Sequence, residues 1–260
     1  MSNLSNNFIA GDWITGPSSI SNINPSDTHD VIGEYAQASK SQLEDALNPA
    51  QIAQKQWAAT GLEQRQAVLM KIGEEMMARS AELGELLSRE EGKPVAEGKG
   101  EIYRAGQFFT YYAAEVLRQS GDTADSVRPN IEIDVRREAM GTVAIISPWN
   151  FPTATASWKI APALAYGNTV VFKPSELVCG SAWALAEIIS RAGLPDGVFN
   201  LLMGQGAETG AALVEHPNVA GVTFTGSSAV GRKIGASVFA RGGKMQLEMG
   251  GKNPLIVLDD

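Results

Sequence analysis

The sequence predicts an α/β fold: a doubly wound parallel sheet preceded by helices. Two observations predict it. After Gly141, five apolar segments alternate with four helical patterns. Each apolar segment also ends in a polar, mostly glycine-bearing turn. Strands that are apolar on both faces need cover on both faces, and helical layers above and below a parallel sheet provide it. Right-handed crossovers then give a doubly wound, Rossmann-like arrangement.

The elements follow in order. Met1–Asn7 is polar and has no basic residue leading into an apolar run, so no secretory signal is expected. Phe8–Ile14 reads as a small hairpin turning near Gly11-Asp12. Ser41-Gln42-Leu43-Glu44 and Thr60-Gly61-Leu62-Glu63 read as capping boxes, each opening a helix. Pro49 is expected to kink or end the first. Ile102, Ala105, Phe109, Tyr112, Ala113 and Val116 share one face of a helix over Glu97–Leu117, stopped by Gly121-Asp122. Ile131, Ile133 and Val135 alternate with Glu132, Asp134 and Arg136, the pattern of a half-exposed strand.

The α/β half reads as strands at Thr142–Ser147, Thr169–Lys173, Val198–Met203, Gly221–Thr225 and Met245–Met249. Helices are expected at Trp158–Ala165, Leu177–Arg191, Ala207–Glu215 and Val230–Phe239. Asn253–Asp260 reads as a buried strand that stops without a turn or a partner, so the chain is expected to be a fragment.

Composition narrows the function. The 260 residues are 44% hydrophobic and 19% charged, enough for a real core and too apolar for disorder. Length suggests one to two domains. With 21 Lys and Arg against 29 Asp and Glu, the net charge is −8, and no basic run exceeds a pair such as Arg136-Arg137. Such a chain neutralises phosphates poorly, which argues against nucleic acid as a partner. One cysteine excludes an internal disulfide and an all-cysteine zinc site, and two histidines leave little for a metal centre. No stretch approaches ~18 uninterrupted apolar residues, so no membrane span and a cytoplasmic location are expected.

In a doubly wound sheet, ligands sit at the carboxyl ends of the strands. Those ends read Ser147-Pro148-Trp149-Asn150-Phe151-Pro152, Lys173-Pro174-Ser175-Glu176, Gly204-Gln205-Gly206-Ala207-Glu208-Thr209-Gly210, Thr225-Gly226-Ser227-Ser228-Ala229-Val230-Gly231 and Glu248-Met249-Gly250-Gly251-Lys252-Asn253. Singly, each is also an ordinary strand-to-helix turn using glycine for positive φ. The fourth places Ser227 and free N–H groups at a helix start, a ready pyrophosphate site. A phosphate-cradling NTPase is excluded, because Gly251-Lys252 is followed by Asn253 and no Gly-x-x-x-x-Gly-Lys-Ser/Thr occurs.

As a set, in this order and spacing, these motifs resemble the aldehyde dehydrogenase superfamily over essentially the whole chain from Phe8. The resemblance implies an aldehyde oxidised to a carboxylate, with hydride passed to NAD, NADP being possible. A cysteine thiolate adds to the carbonyl, the thiohemiacetal loses hydride, and water hydrolyses the thioester. It implies that Asn150 donates to the oxyanion, Glu248 acts as general base and Lys173 bonds the cofactor ribose. Glu176 would accept from the adenine-ribose hydroxyls and disfavour a 2′-phosphate. Ser147, Pro148, Trp149, Ser175, Gly206, Gly210, Thr225, Gly226, Ser227, Glu248 and Gly250 fall at cofactor-contact positions, and Phe151, Thr155 and Trp158 at the aldehyde tunnel. It implies no metal.

By the same resemblance, residues 1–127 are a hairpin and helices packed on the nucleotide domain. Residues 128–140 are an oligomerisation arm, 141–250 the Rossmann-like NAD-binding domain, and 251–260 the start of a truncated catalytic domain. A homodimer or homotetramer is the implied assembly. Trp158 stands where succinic semialdehyde dehydrogenases carry an arginine, and Ile146–Pro152 with Trp158–Thr169 looks most like the α-ketoglutaric semialdehyde branch. Arg104 and Arg118 are candidates for a substrate carboxylate, and both also read as exposed helix residues. The family nucleophile lies downstream of Glu248. Cys179, at a helix start and by the resemblance on the adenine side, is expected to be a packed or cofactor-adjacent thiol. The chain alone is therefore expected to be inactive, and a non-catalytic nucleotide-binding or assembly module stays open as the alternative.

Overall fold

The computed structural model describes residues 4–118 and 120–259. Met1–Asn3, the head of the polar N-terminal stretch, and Asp260, the end of the expected last strand, lie outside the described residues. The chain opens with β1 (Leu4–Ser5), β2 (Asn7–Ile9), β3 (Asp12–Ile14), β4 (Ser18–Ile23) and β5 (Val31–Gln37). Four helices follow, α1 (Lys40–Ala59), α2 (Leu62–Ala78), α3 (Ser80–Glu91) and α4 (Val95–Glu115), then β6 (Asp122–Asp125) and β7 (Glu132–Val135). The α/β half is β8 (Thr142–Ile146), α5 (Pro152–Ala165), β9 (Thr169–Lys173), α6 (Cys179–Ser190) and β10 (Phe199–Leu201). It continues through α7 (Ala211–Glu215), β11 (Gly221–Gly226), α8 (Ser228–Ala240) and β12 (Lys244–Met249).

The main sheet runs β12-β11-β8-β9-β10-β2-β3. Strands β8 to β12 are parallel to one another, as the apolar runs predict, while β2 joins β10 antiparallel. The chain enters at β8, winds outward through β9 and β10, then crosses back to β11 and β12 on the other side. Such a reversal opens a crevice at the carboxyl ends beside the first strand. The expected N-terminal hairpin is β2–β3, and it extends this sheet: Phe8 lies opposite Leu201.

Alternation along the strands builds two cores. Val143, Ile145, Val170, Phe172, Phe199 and Leu201 face the layer of α2 to α6. Ala144, Val171, Val222 and Phe224 face α1, α7 and α8. The α2–α4 crossing depends on glycine: a Cβ on Gly73 would lie 2.6 Å from the Gly106 carbonyl oxygen, and one on Gly106 2.7 Å from that of Gly73. Gly98 meets Gly84 as closely where α4 crosses α3.

Several elements differ from expectation. The capping box of α1 is Ser39 with Gln42, just ahead of the expected Ser41 box, because Ser39 holds the extended backbone a cap requires. Thr60 caps no helix start: it ends α1, its hydroxyl donating to the Gln56 carbonyl at 3.0 Å, and Gly61 begins α2 without a side-chain cap. Pro49 lies inside α1 and does not end it. The strand expected near residues 131–136 is β7, and it pairs with β6, which the alternation did not reveal. Ile131 just before it, and Ile133 and Val135 within it, are 46%, 45% and 50% exposed, so this hairpin has an uncovered apolar edge. Among the described residues the strand expected over Asn253–Asp260 is not formed: residues 250–259 make no regular element. Helix α5 begins at Pro152, six residues before the expected start, with proline in its favoured first position.

Candidate functional site

Two clefts open where the parallel strands end. One, of about 500 Å³, lies between the α7 and α8 sides of the switch point. It is bounded by Ile146 at the end of β8, by Gly206, Ala207, Gly210 and Val214, and by Val230 and Ile234 of α8. Its inner wall is a single π-helical turn, Gly206–Gly210, leading directly into α7. Such turns are rare and recur at functional sites.

Behind this turn sits Lys173, the last residue of β9, its side chain 3% exposed. Its ammonium donates to the Glu176 carboxylate at 3.2 Å. Burial lowers the Lys173 pKa, and the nearby Glu176 charge offsets only part of that. Burial alone would raise Glu176. The Lys173 charge and the backbone N–H groups of Glu176 and Gly206 outweigh it and hold this carboxyl below its ordinary range. A Cβ on Gly206 would reach to 3.9 Å from the Lys173 ammonium, and one on Gly210 to 3.8 Å from its stem. Gly206 and Gly210 thus stand directly in front of a pair made of a buried ammonium and a carboxylate that is 39% exposed. A ribose diol needs one donor and one acceptor side by side, and that is what this pair offers. Ser147, at the end of β8, adds a buried hydroxyl oxygen without a partner. These residues fit the adenosine half of a dinucleotide.

The second cleft, of about 460 Å³, is walled by Phe108, Phe151, Ala154, Thr155, Trp158, Lys159, Thr225, Gln246 and Glu248. The three expected tunnel residues and the expected base are therefore brought together. Phe108 and Trp158 meet edge to face at 4.8 Å between ring centres. Trp149, Phe151 and Trp158 are 55%, 52% and 61% exposed, an unusual concentration of open aromatic surface. Thr225, expected at a cofactor-contact position, lines this cleft. Asn150 is exposed on the turn preceding α5. Asn150, Lys173, Glu176, Ser147, Pro148, Trp149, Ser175, Gly226, Ser227 and Gly250 line neither cleft. The Ser227 hydroxyl accepts from the Val230 N–H at 3.3 Å and caps α8, and Gly226 has no room for a Cβ against the Phe224 ring.

Sequence reasoning missed Lys159. It is 7% exposed and donates to the Thr223 hydroxyl at 2.8 Å and to Gln246 Oε1 at 3.0 Å. Burial lowers its pKa to about 8, against an upward pull from Glu248. The available signal was one lysine amid the apolar run Trp158–Ala165, which reads locally as a chance polar position. Because the folded pKa lies below the unfolded 10.5, the unfolded chain binds more protons between those values. Stability is expected to rise as pH climbs from about 8 toward 10.5. Lys159→Met should flatten that rise in urea denaturation curves taken across the range, and an unchanged slope contradicts it.

Cys179 begins α6, yet it is fully buried, its sulfur 3.5 Å from the Glu176 carbonyl oxygen. Burial, with the Glu90 charge, pushes its pKa up to about 12, the reverse of what a helix start does to an exposed thiol. Arg118 pairs with Glu115 at 3.1 Å. Arg104 lies 5.0 Å over the Phe108 ring, at the edge of the aromatic cleft. Among the described residues no cluster of three or more His, Cys, Asp or Glu is placed to hold a metal, and no helix is long and apolar enough to cross a membrane.

Sheet and clefts define a doubly wound, dinucleotide-type domain with an aromatic-walled cleft beside it. The chain belongs to the aldehyde dehydrogenase family, whose pattern matches residues 13–260. It is 41% identical over 256 residues to the α-ketoglutaric semialdehyde dehydrogenase of Bacillus subtilis, covering 98% of this chain and 52% of that protein. To the 2,5-dioxopentanoate dehydrogenase of Saccharolobus solfataricus it is 38% identical, covering 96% of this chain and 53% of the relative. The chain thus spans about half the length of the curated relatives it matches. Among solved structures, betaine aldehyde dehydrogenase of Staphylococcus aureus in complex with NAD+ superimposes with a TM-score of 0.93 at 32% identity, over 98% of this chain and 52% of that one. An NADP-dependent enzyme of E. coli superimposes with a TM-score of 0.92 at 35% identity, over 95% and 52%.

Proposed function

We propose that this chain is the cofactor-binding half of an NAD-linked dehydrogenase that oxidises a carboxylate-bearing semialdehyde to the acid. The observation that carries this reading is the second cleft, where Phe151, Thr155 and Trp158 converge with Glu248. When bound, the nicotinamide would supply the hydride acceptor. Lys173 and Glu176 would hold the ribose diol, and the cleft along Gly206–Gly210 and α8 would take the adenine end. The aromatic walls would hold the apolar stem of the aldehyde. Asn150 donates its side-chain N–H to the carbonyl oxygen as negative charge develops there, where a fixed dipole contributes most. Glu248 removes a proton from the attacking water. Cys179 is buried and protonated, so the nucleophilic thiol comes from outside these residues.

Names of two relatives, α-ketoglutaric semialdehyde and 2,5-dioxopentanoate dehydrogenase, support an acidic substrate. Arg104, which pairs with no carboxylate among the described residues, is the cation we assign to it. Residues 141–250 are taken as the nucleotide domain and residues 251–260 as the start of a catalytic domain. The hairpin β6–β7, reaching into residues 128–140, is the arm. Its uncovered apolar edge suits pairing with a second subunit. Sedimentation of the natural protein containing this chain should give a dimer or tetramer, and a monomer at micromolar concentration contradicts the arm assignment. We place the enzyme in the cytoplasm.

The direct assay is semialdehyde-dependent NADH absorbance from that natural protein. No turnover with any semialdehyde, with intact NAD binding, would favour a non-catalytic nucleotide-binding module. NAD preference rests on Glu176, which would repel a 2′-phosphate. Glu176→Ser should shift the Kd ratio toward NADP by about tenfold or more, one lost charge repulsion being worth at least ~1.4 kcal/mol. Tighter NADP than NAD binding by the unaltered protein would sink the assignment.

A further inference from the structure

A buried ion cluster beneath the Asn150 turn has no part in the reaction outlined above. Lys93 lies between α3 and α4, with its side chain 13% exposed. Its ammonium meets the Glu91 carboxylate at 2.7 Å and the Glu101 carboxylate at 2.8 Å. It also donates to the Asn150 carbonyl oxygen at 3.0 Å and lies 4.1 Å from the centre of the Phe151 ring. Glu101 is 1% exposed. Its Oε1 accepts from the Thr153 and Ala154 N–H groups, each at 3.0 Å, and its Oε2 takes the Lys93 ammonium.

This geometry solves a local problem. The first N–H groups of a helix have no partner within it. Phe151 stands at the cap of α5 and makes no side-chain cap bond. Glu101 reaches over from α4 and supplies one, its charge favourably placed at a helix start. Lys93 then secures the residue immediately before, through its carbonyl. Asn150 through Ala154 are thereby tied to α4, which is itself fixed by the close Gly98–Gly84 contact.

We propose that Lys93 and Glu101 are positioning residues for Asn150: together they fix the turn so that the Asn150 side-chain amide faces the reacting oxygen. The proposal rests on the oxyanion role assigned to Asn150. Neither residue touches substrate. Each acts by limiting where Asn150 sits, and a misplacement of about 1 Å suffices to lose about two decades of rate.

The test is a double-mutant cycle in the natural protein that contains this chain, with kcat read where chemistry limits turnover. Lys93→Met should lower kcat by about 10–100-fold. Aldehyde KM and NAD Kd should stay within about twofold, since the lost alignment matters only as charge develops. In an Asn150→Ala background the same change should lower kcat by less than about threefold, because the group being aimed is gone. Lys93→Arg, which keeps the charge, should recover most of the rate. A purely structural role would instead move stability and all kinetic constants together. Wild-type kcat in Lys93→Met beside a slow Asn150→Ala would overturn the positioning proposal alone, as would a fully multiplicative loss in the double variant. Wild-type kcat in Asn150→Ala would overturn the oxyanion reading, and the positioning proposal with it. If Lys93→Met does not fold, Glu101→Gln is read by the same cycle and criteria: it keeps the oxygen serving Thr153 and Ala154 but loses the charge that holds Lys93.

Discussion

Replacing Asn150 with Ala in the natural protein should lower kcat by about 10²–10³, the usual loss for one oxyanion donor. The amide N–H gains most of its interaction only once the carbonyl oxygen carries charge, so the ground state loses little. Cofactor affinity should barely change, because Lys173 and Glu176, the pair proposed to hold the ribose, follow a different strand. Asn150→Asp tests the sign: a carboxylate in place of the donor should be at least as slow. The rates are compared by single-turnover kinetics, so that product release cannot mask the chemical step. A single-turnover rate near wild type would remove Asn150 from the mechanism.

The second large effect is on stability. Glu90, at the end of α3, is 4% exposed and gathers donors from two other elements. It accepts from the Gly180 N–H at 2.6 Å, the Ser181 N–H at 2.7 Å and the Ser181 hydroxyl, all on the first turn of α6. The Asn22 amide of β4 donates to it as well. One carboxylate thus joins the N-terminal strands, α3 and α6 just behind the Lys173–Glu176 loop. Glu90→Ala leaves these donors buried and unpaired, with a loss of about 3–5 kcal/mol expected. Urea denaturation of wild type and variant measures it, and a loss below about 1 kcal/mol would show that water or repacking replaces the carboxylate.

The α/β half was legible because its information is local. Five apolar runs with turn residues at their ends leave few alternatives to a parallel sheet, and β8, β9, β11 and β12 fall within a residue of their expected bounds. The N-terminal strands were harder. In β4, Ser-Ser-Ile-Ser-Asn-Ile offers little apolar signal, and its pairing with β5 depends on residues more than a turn away. The Gly73–Gly106 crossing was illegible for a different reason: glycine inside a helix reads as a weakness until the partner helix is seen to need the space.

The site divides the same way. Glu248 and the aromatic tunnel residues sit in motifs whose order carries the information. Lys93 and Lys159 do not, since Lys93 meets Asn150 across 57 residues of chain, and Lys159 meets Thr223 and Gln246 across 64 and 87. Capping shows the limit at short range too: both Ser39 and Ser41 suit a cap by composition, and only backbone geometry chooses between them.

The central claim is that an aldehyde held against Phe151, Thr155 and Trp158 is oxidised directly by a cofactor held at Lys173 and Glu176. Incubating the natural protein with NAD and a semialdehyde deuterated at its aldehyde carbon tests it most directly. The account predicts one deuterium in the reduced cofactor for each acid formed, with Asn150→Ala giving the same label far more slowly. Acid formed with no label in the cofactor would contradict it.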